Sequence, residues 1–258
     1  MAADPVSPVD PIDWNYWQAT AAFSATSARG EVRQLRNVLL VDVGAPVPQF
    51  NIAFVPHPER DIEAAVLAAR EFFGAKEHPF RVVIRADQAE ACDGALRQAG
   101  LAQVDDIPGM TLAPMPDRTP RQSGVSIRRV DDAKSLDDWS RTAFVGFGLP
   151  ERAAHLFLTE DLVALPAFEA FVGYVDGQPV CTSSLFESAG VAGVYWVATL
   201  EGQRGRGLGE TATWAAVEAG RRRGLPCASL QASAMGRPVY TRMGFAVDRQ
   251  YVRYAQKE

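Results

Sequence analysis

Between residues 203 and 209 the chain reads Gln-Arg-Gly-Arg-Gly-Leu-Gly, set between a β-rich run, Val191–Thr199, and an apolar stripe at helical spacing (Leu208, Ala212, Ala215, Ala216, Ala219). Closely spaced glycines let a backbone approach a ligand and turn several N–H groups toward one point. The helix behind adds the positive end of its dipole, equivalent to roughly half a charge. A strand, a glycine loop and a helix start in this order make a seat for phosphate or pyrophosphate. Two familiar phosphate loops do not fit. The dinucleotide fingerprint G-x-G-x-x-G needs glycine where Glu210 stands, and an early place in a βαβ unit. A P-loop needs Gly-Lys-Ser/Thr, whereas Gly207 is followed by Leu208 and Gly209. Taken alone, the loop also fits a flexible turn that holds nothing.

The rest of the chain reads as two halves. In the first, Trp14, Trp17, Ala21 and Ala25 mark a helix stopped by Gly30, and strands follow over 37–43 and 50–55. A helix on Ile62, Val66, Ala69 and Phe73, a β-rich run over 80–85, a helix on Ala89, Cys92, Leu96 and Ala99 capped by Gly100, and a short strand at 110–112 complete it. Residues 113–124 carry three prolines and no apolar periodicity, which predicts a linker. The second half predicts a strand over 125–130, helices over 135–147 and 151–162, and a hairpin of 168–175 and 178–186 across Asp176–Gly177. A strand over 191–199, the long helix, a strand over 227–231, a helix over 235–243 and a strand over 245–254 follow. The shared order predicts an α+β fold, a mixed central sheet flanked by helices, in two related units. These are residues 1–112 and 125–258; the alternative is one domain with an unrelated N-terminal extension.

Composition narrows the partners. With 47% hydrophobic and 22% charged residues the chain is ordinary for a globular protein, and its net charge of −5 speaks against nucleic acid. Cys92, Cys181 and Cys227 are odd in number and far apart, so neither a disulfide framework nor a cysteine zinc site is expected. His57, His78 and His155 lack ligand spacing, and no metal is expected. Residues 1–11 do not read as a signal peptide, and no apolar run reaches about 18 residues, so the expectation is a cytoplasmic protein without a membrane span. Arg221, Arg222 and Arg223 read as cations facing the negative end of a helix dipole, not as a nucleic-acid patch.

A second motif gives the glycine loop its meaning. Arg204-x-x-Gly207-x-Gly209, after the strand Val194-Tyr-Trp-Val-Ala-Thr199, resembles the Q/R-x-x-G-x-G/A signature of the GNAT acetyltransferases. Tyr240-Thr-Arg-Met-Gly244-Phe245 matches that family's Y-x-x-x-G-F, and the interval between the two admits one helix and one strand. The resemblance covers roughly residues 125–256 and implies a GNAT fold with acetyl-CoA as co-substrate. It implies that the strand end Val197, Ala198 and Thr199 holds the pantetheine arm like an added strand. The loop of Arg204, Gly205, Arg206, Gly207, Leu208, Gly209 and Glu210 would then hold the pyrophosphate. Where the family often has a proline after the strand, Glu201 and Gly202 stand.

Acyl transfer to an amine needs a neutral nucleophile, a donor to the developing oxyanion and a proton for the leaving thiolate. An alkyl thiol titrates near ~8.5 and tyrosine near ~10. The resemblance puts Tyr240 at the acid's position; the plain alternative is a core aromatic beside a helix cap. The Val197 N–H is the candidate oxyanion donor, and Glu187 and Glu201, each at a strand end, are candidates for the base, with water as the alternative. Trp139, Phe144, Phe147, Phe157 and Phe168 either wall an acceptor pocket or fill the core. The corresponding junction of the first half, Pro56-His57-Pro58-Glu59-Arg60-Asp61, has no glycine, two prolines and two acids, and no tyrosine precedes Gly100 as Tyr240 precedes Gly244. That half resembles the degenerate N-terminal domains of some family members, expected to cover the sheet and wall the acceptor site. The expectation is direct transfer, in a ternary complex, of an acetyl group to a primary amine of a small molecule or peptide. Homodimerisation is left open, and the rival reading is a catalytically silent acyl-CoA sensor.

Overall fold

The computed structural model describes residues 9–117 and 124–256. Half of the stretch read as a linker (118–123), the first eight residues and the last two lie outside them. In chain order the elements are α1 (Pro11–Ala25), β1 (Glu31–Leu35), β2 (Val38–Asp42), β3 (Ile52–Phe54), α2 (Pro58–Gly74), β4 (Arg81–Arg85), α3 (Ala86–Gln98) and β5 (Leu101–Leu112). The second half continues with β6 (Ser126–Arg129), α4 (Ala133–Gly146), the short α5 (Ala154–Phe157) and α6 (Glu160–Val163), β7 (Phe168–Val175), β8 (Gln178–Ser188) and β9 (Val191–Thr199). It ends with α7 (Leu208–Arg222), β10 (Cys227–Gln231), α8 (Arg237–Arg242) and β11 (Ala246–Gln256). Local chemistry sets several starts. Asp10 accepts from the Ile12 N–H ahead of Pro11, and Asp132 and Ser135 form a reciprocal capping box on α4.

The eleven strands of the described residues join one sheet in the order β1-β2-β3-β4-β11-β5-β10-β9-β8-β7-β6. Only β3/β4 and β9/β10 are parallel, and in each case a helix (α2, α7) makes the crossover. The centre is an exchange. The last strand of the first half, β5, pairs with β10, and the last strand of the second, β11, lies between β4 and β5. Helices α2 and α3 pack on one face of β2–β4, and α7 and α8 on one face of β8–β10 and β5. Helix α1 is shared: its Tyr16 and Trp17 sit with Phe54 and Tyr251, while Ala19 and Phe23 join the cluster of α4–α6, β7 and β8. Asn15, fully buried, fastens α1 to the second half. It donates to the carbonyls of Phe186 (3.0 Å) and Val191 (3.2 Å) and accepts from the Tyr195 hydroxyl (2.7 Å).

Three expectations are corrected. Strand β1 was not expected, because its side chains are largely exposed and carry no apolar alternation. Strand β5 runs twelve residues, not three, since its polar middle is held by pairing with β11. The helix expected over 151–162 is broken into a 3-10 turn and two four-residue helices, with Thr159 capping the second. Among the described residues no helix is long and apolar enough to cross a membrane.

Candidate acyl-CoA site

The β9/β10 ladder ends at Gly193–Ser229, while β9 runs on to Thr199 with only β8 beside it. The Leu200 N–H donates to the Val180 carbonyl on β8 (3.0 Å), so strand alternation turns the N–H and C=O of Thr199 and Val197 toward the open edge. Ala198 differs from its neighbours: its backbone faces β8, and its methyl lies where a Cβ on Gly146 would come within 2.7 Å. Between Tyr195 and Ala198 the strand holds one residue more than the facing stretch from Ser184 to Thr182, a β-bulge with Trp196 at φ +50°. A bulky residue there costs about 1–3 kcal/mol. Two hydroxyls of β8 fix the bulge: Thr182 donates to the Trp196 carbonyl (2.8 Å) and Ser184 to that of Tyr195 (3.1 Å). As a result Val194 and Val197 share the α7/α8 face, whereas Tyr195 and Trp196 both turn to the α1/α4 face. None of Thr182, Ser184, Asn15 and the bulge was found from sequence. The signal available was the run Thr182-Ser183-Ser184 inside an otherwise apolar strand.

From Thr199 a 3-10 turn (Glu201–Gln203) leads into the loop. Gly205 and Gly207 adopt φ +75° and +73°, which side-chain-bearing residues avoid. Gly207 caps α7 without a side-chain bond, so the first-turn N–H groups of Leu208, Gly209 and Glu210 point along the axis with no intrahelical partner. Leu208 is buried with Val180 and Cys181 and anchors the helix start. Arg204 ties the loop back, through Nε to the Thr199 carbonyl (3.3 Å) and Nη2 to the Gly146 carbonyl (3.2 Å), and Arg206 bonds Gln203. A Cβ on Gly209 would lie 3.1 Å from Thr199 Oγ1, so strand end and helix start touch. Open strand edge, positive-φ glycines and bare helix terminus thus fit a pantetheine pyrophosphate.

Tyr240 stands on α8, 9% exposed, edge-on to Phe245 at 6.0 Å and in the same cluster as Val194, Val197 and Trp214. Gly236 makes room for it: a Cβ there would be 2.8 Å from the ring. Burial raises its hydroxyl to about 12, with a hydrogen bond to Thr213 pulling the other way. This departs from the ordinary tyrosine value expected from sequence. The two carboxylate candidates are not gathered here. Glu187 faces Ala192 at the start of β9, roughly 23 Å along the strand from Thr199, and is held by Arg223 (2.9 Å) together with Glu169. Arg223 is therefore a clamp between β7, β8 and α7, not merely a dipole cation. Glu201 is exposed in the turn ahead of the loop, beyond the strand end and past the bulge. Of the aromatic candidates, Trp139, Phe144 and Phe168 are core, whereas Phe147 is half exposed. Among the described residues no cluster of three or more His, Cys, Asp or Glu is set to hold a metal.

The sequence model described as the acetyltransferase (GNAT) family matches residues 133–245, which span α4, β9, the loop, α7 and Tyr240. No curated protein matches the chain in sequence. Among solved structures the chain is similar to a GCN5-related N-acetyltransferase from Kribbella flavida, at 20% identity and TM-score 0.69 over 98% of this chain and 97% of that one. It is similar also to a GCN5-related N-acetyltransferase from Sphaerobacter thermophilus (19% identity, TM-score 0.64, 85% and 80% covered). A tandem GNAT protein from the clavulanic acid biosynthesis pathway matches at 14% identity and TM-score 0.63, with 96% and 95% covered. These likenesses concern the fold, and they extend over both halves. Residues 133–245 thus carry the match to the acetyltransferase (GNAT) family, and the fold, over both halves, is a GNAT fold like that of the tandem protein.

Proposed function

We propose that the protein is an acetyl-CoA-dependent N-acyltransferase that moves an acetyl group to a primary amine by direct transfer in a ternary complex. The observation that carries this is the parting of β9 from β10 after Gly193, which leaves Val197 and Thr199 with a backbone edge that no strand pairs, leading to the glycine loop. Acetyl-CoA supplies an activated acyl group whose departing thiolate titrates near ~8.5. The loop N–H groups and the start of α7 bind its pyrophosphate, and Thr199 and Val197 align its arm as an added strand. The Val197 N–H, fixed by the bulge, donates to the thioester oxygen as charge grows there.

Tyr240 lies on the Val197 side of β9 and holds its proton at neutral pH. Because its hydroxyl titrates about three to four units above a thiol, it stabilises the thiolate chiefly by donating a hydrogen bond, and the proton comes finally from water. With Glu187 locked to Arg223 and Glu201 exposed past the strand end, water also takes the proton from the amine. The test is thiol release from acetyl-CoA with a panel of amines. Saturable, amine-dependent release supports the reading, and tight CoA binding with no release for any amine supports the sensor instead.

A further inference from the structure

The bulge that opens the edge of β9 also turns Trp196 to the face opposite Tyr240, and what surrounds it there is unusual. Four rings contact Trp196: Phe23 (5.9 Å between centroids), Phe50 (5.8 Å), Phe144 (5.9 Å, nearly parallel) and Phe147 (5.6 Å, edge-on at 88°). Two come from the first half, on α1 and the turn before β3, and two from α4 and its end. Phe144 is core at 2% exposure, but Phe147 is 50% exposed, and Phe23, Phe50 and Trp196 are only partly covered. The indole N–H of Trp196 is buried and has no hydrogen-bond partner among the described residues. A buried N–H without an acceptor is costly, and natural cores rarely leave one.

We propose that this cluster is the acceptor site, and that the acceptor is a primary amine on an aromatic skeleton, its ring seated against Trp196 between Phe50 and Phe147. This rests on the acyltransferase reading above. Trp196 precedes Val197 on the stretch of β9 that has no β10 partner, so the sheet is open there between the indole face and the strand edge proposed to hold the thioester, and a ring held on the indole can pass a short amine arm through that gap. Aromatic walls suit such a ligand twice over. Ring edges and faces pack with an aryl group, and their negative faces attract the ammonium form before it loses its proton. A polycationic amine, in contrast, calls for carboxylates, whereas Trp196 sits among four rings in an apolar cluster. An electron pair on the ligand, such as a ring substituent oxygen, would satisfy the orphan indole N–H. At the corresponding place in the first half, β3 is three buried residues whose pairing with β2 and β4 has no register shift.

The test is calorimetric titration of the full chain, saturated with CoA, by phenethylamine and by ethylamine. Phenethylamine is expected to bind about 10- to 100-fold more tightly, the range set by burying one ring. Phe147→Ala, at a half-exposed position that tolerates truncation, should remove about 10-fold of that preference while CoA affinity stays within about twofold. Trp196→Phe keeps a ring but no N–H, and should weaken a phenol-bearing amine such as tyramine more than phenethylamine. Equal binding of phenethylamine and ethylamine, or no change with Phe147→Ala, overturns the proposal. Thiol release separates it from the reading beneath it. Phenethylamine that binds as expected but releases no thiol upholds the pocket and sinks the transferase; thiol release as efficient with ethylamine as with phenethylamine does the reverse.

Discussion

Two junctions of the same kind, β3 to α2 and β9 to α7, meet opposite fates in this chain. Each follows an antiparallel ladder, feeds a crossover helix and leads to a parallel strand, a second helix and an exchanged last strand. At the second junction, glycines at positive φ present bare N–H groups. At the first, Pro56, His57 and Pro58 take the loop, and α2 is broken at Asp61, whose φ of −166° and ψ of 55° are not helical. Asp61 Oδ1 accepts from the Ala64 N–H (3.4 Å), and Glu59 adds a second carboxylate. The helix start that would attract an anion is thus already answered by its own acids. Beside it lies a cavity of about 260 Å³ lined by Asp10, Asp13, His57 and Arg85 among others, in which carboxylates outnumber the cation. Leu96, fully buried four residues ahead of Gly100, fills the place that Tyr240 fills ahead of Gly244, without a hydroxyl. Sheet pairing and helix packing ask only for apolar residues at the right period. An anion seat asks for particular backbone angles, and so it can be lost from one half while the fold persists.

The strongest way to break the comparison is to separate the halves. A chain that starts near Ser123 strips β10 of β5 and β11 of both β4 and β5, exposing long strand edges. We expect an insoluble or unfolded product by far-ultraviolet circular dichroism. A monomeric fragment that unfolds cooperatively and turns over at the full rate would show that the exchange is dispensable.

Next in size is Gly207→Glu, which forces a side chain into φ +73° and sets a carboxylate at the end of α7, as Glu59 and Asp61 are set on α2. CoA affinity should fall at least ~100-fold, since strain and like charge act together. The full chain should bind one CoA per molecule by calorimetry, and two equivalents would mean that the first junction is not silent.

Tyr240→Phe makes the second half resemble the first at Leu96, in that packing is retained and the donor is lost. Turnover should drop on the order of 10²-fold, at the low end for a lost proton donor because the raised hydroxyl acts mainly through a hydrogen bond. CoA affinity should be unchanged, with kcat and kcat/KM falling together. Steady-state thiol release decides this, and an unaltered kcat with chemistry rate-limiting would reduce Tyr240 to a core ring.

How far the sequence carried the reading differs between the halves for the same reason. Val191–Thr199 was legible at both ends, because Gly190 turns the chain and the apolar run stops at the glycine loop. The loop and Tyr240 were legible because each depends on a few contiguous residues. Strand β5 was not, because Gln103, Asp105 and Asp106 look like loop until β11 supplies their partners across more than 140 residues. The bulge at Trp196 was hidden too. It is defined by register against β8 and held by Thr182 and Ser184, which in sequence read only as polar residues in a strand. Glu187 misled because a strand-end carboxylate looks free until Arg223, 36 residues on, is seen to hold it.

The smallest expected effect tests the burial that sets Tyr240 apart. Its hydroxyl titrates near 10.0 when unfolded and is raised to about 12 by burial in the native state. The folded protein therefore keeps a proton that the unfolded chain gives up between those values. Its stabilising contribution is whole below about pH 10 and is lost as pH rises through about 12. By pH 11 the loss is about 1 kcal/mol, or ~3 °C in Tm for a chain of this size. Burial likewise raises Tyr16, Tyr195 and Tyr251, so the wild type should lose several times this between pH 9 and pH 11. The informative quantity is a difference of differences. The drop in Tm from pH 9 to pH 11 should be ~3 °C smaller in Tyr240→Phe than in the wild type, whatever the mutation does to Tm at pH 9. Scanning calorimetry of the two proteins at both pH values measures it directly. Equal drops would mean that the Tyr240 hydroxyl ionises as readily folded as unfolded, which would bring full proton transfer to the thiolate back into range and weaken the hydrogen-bond account of its role.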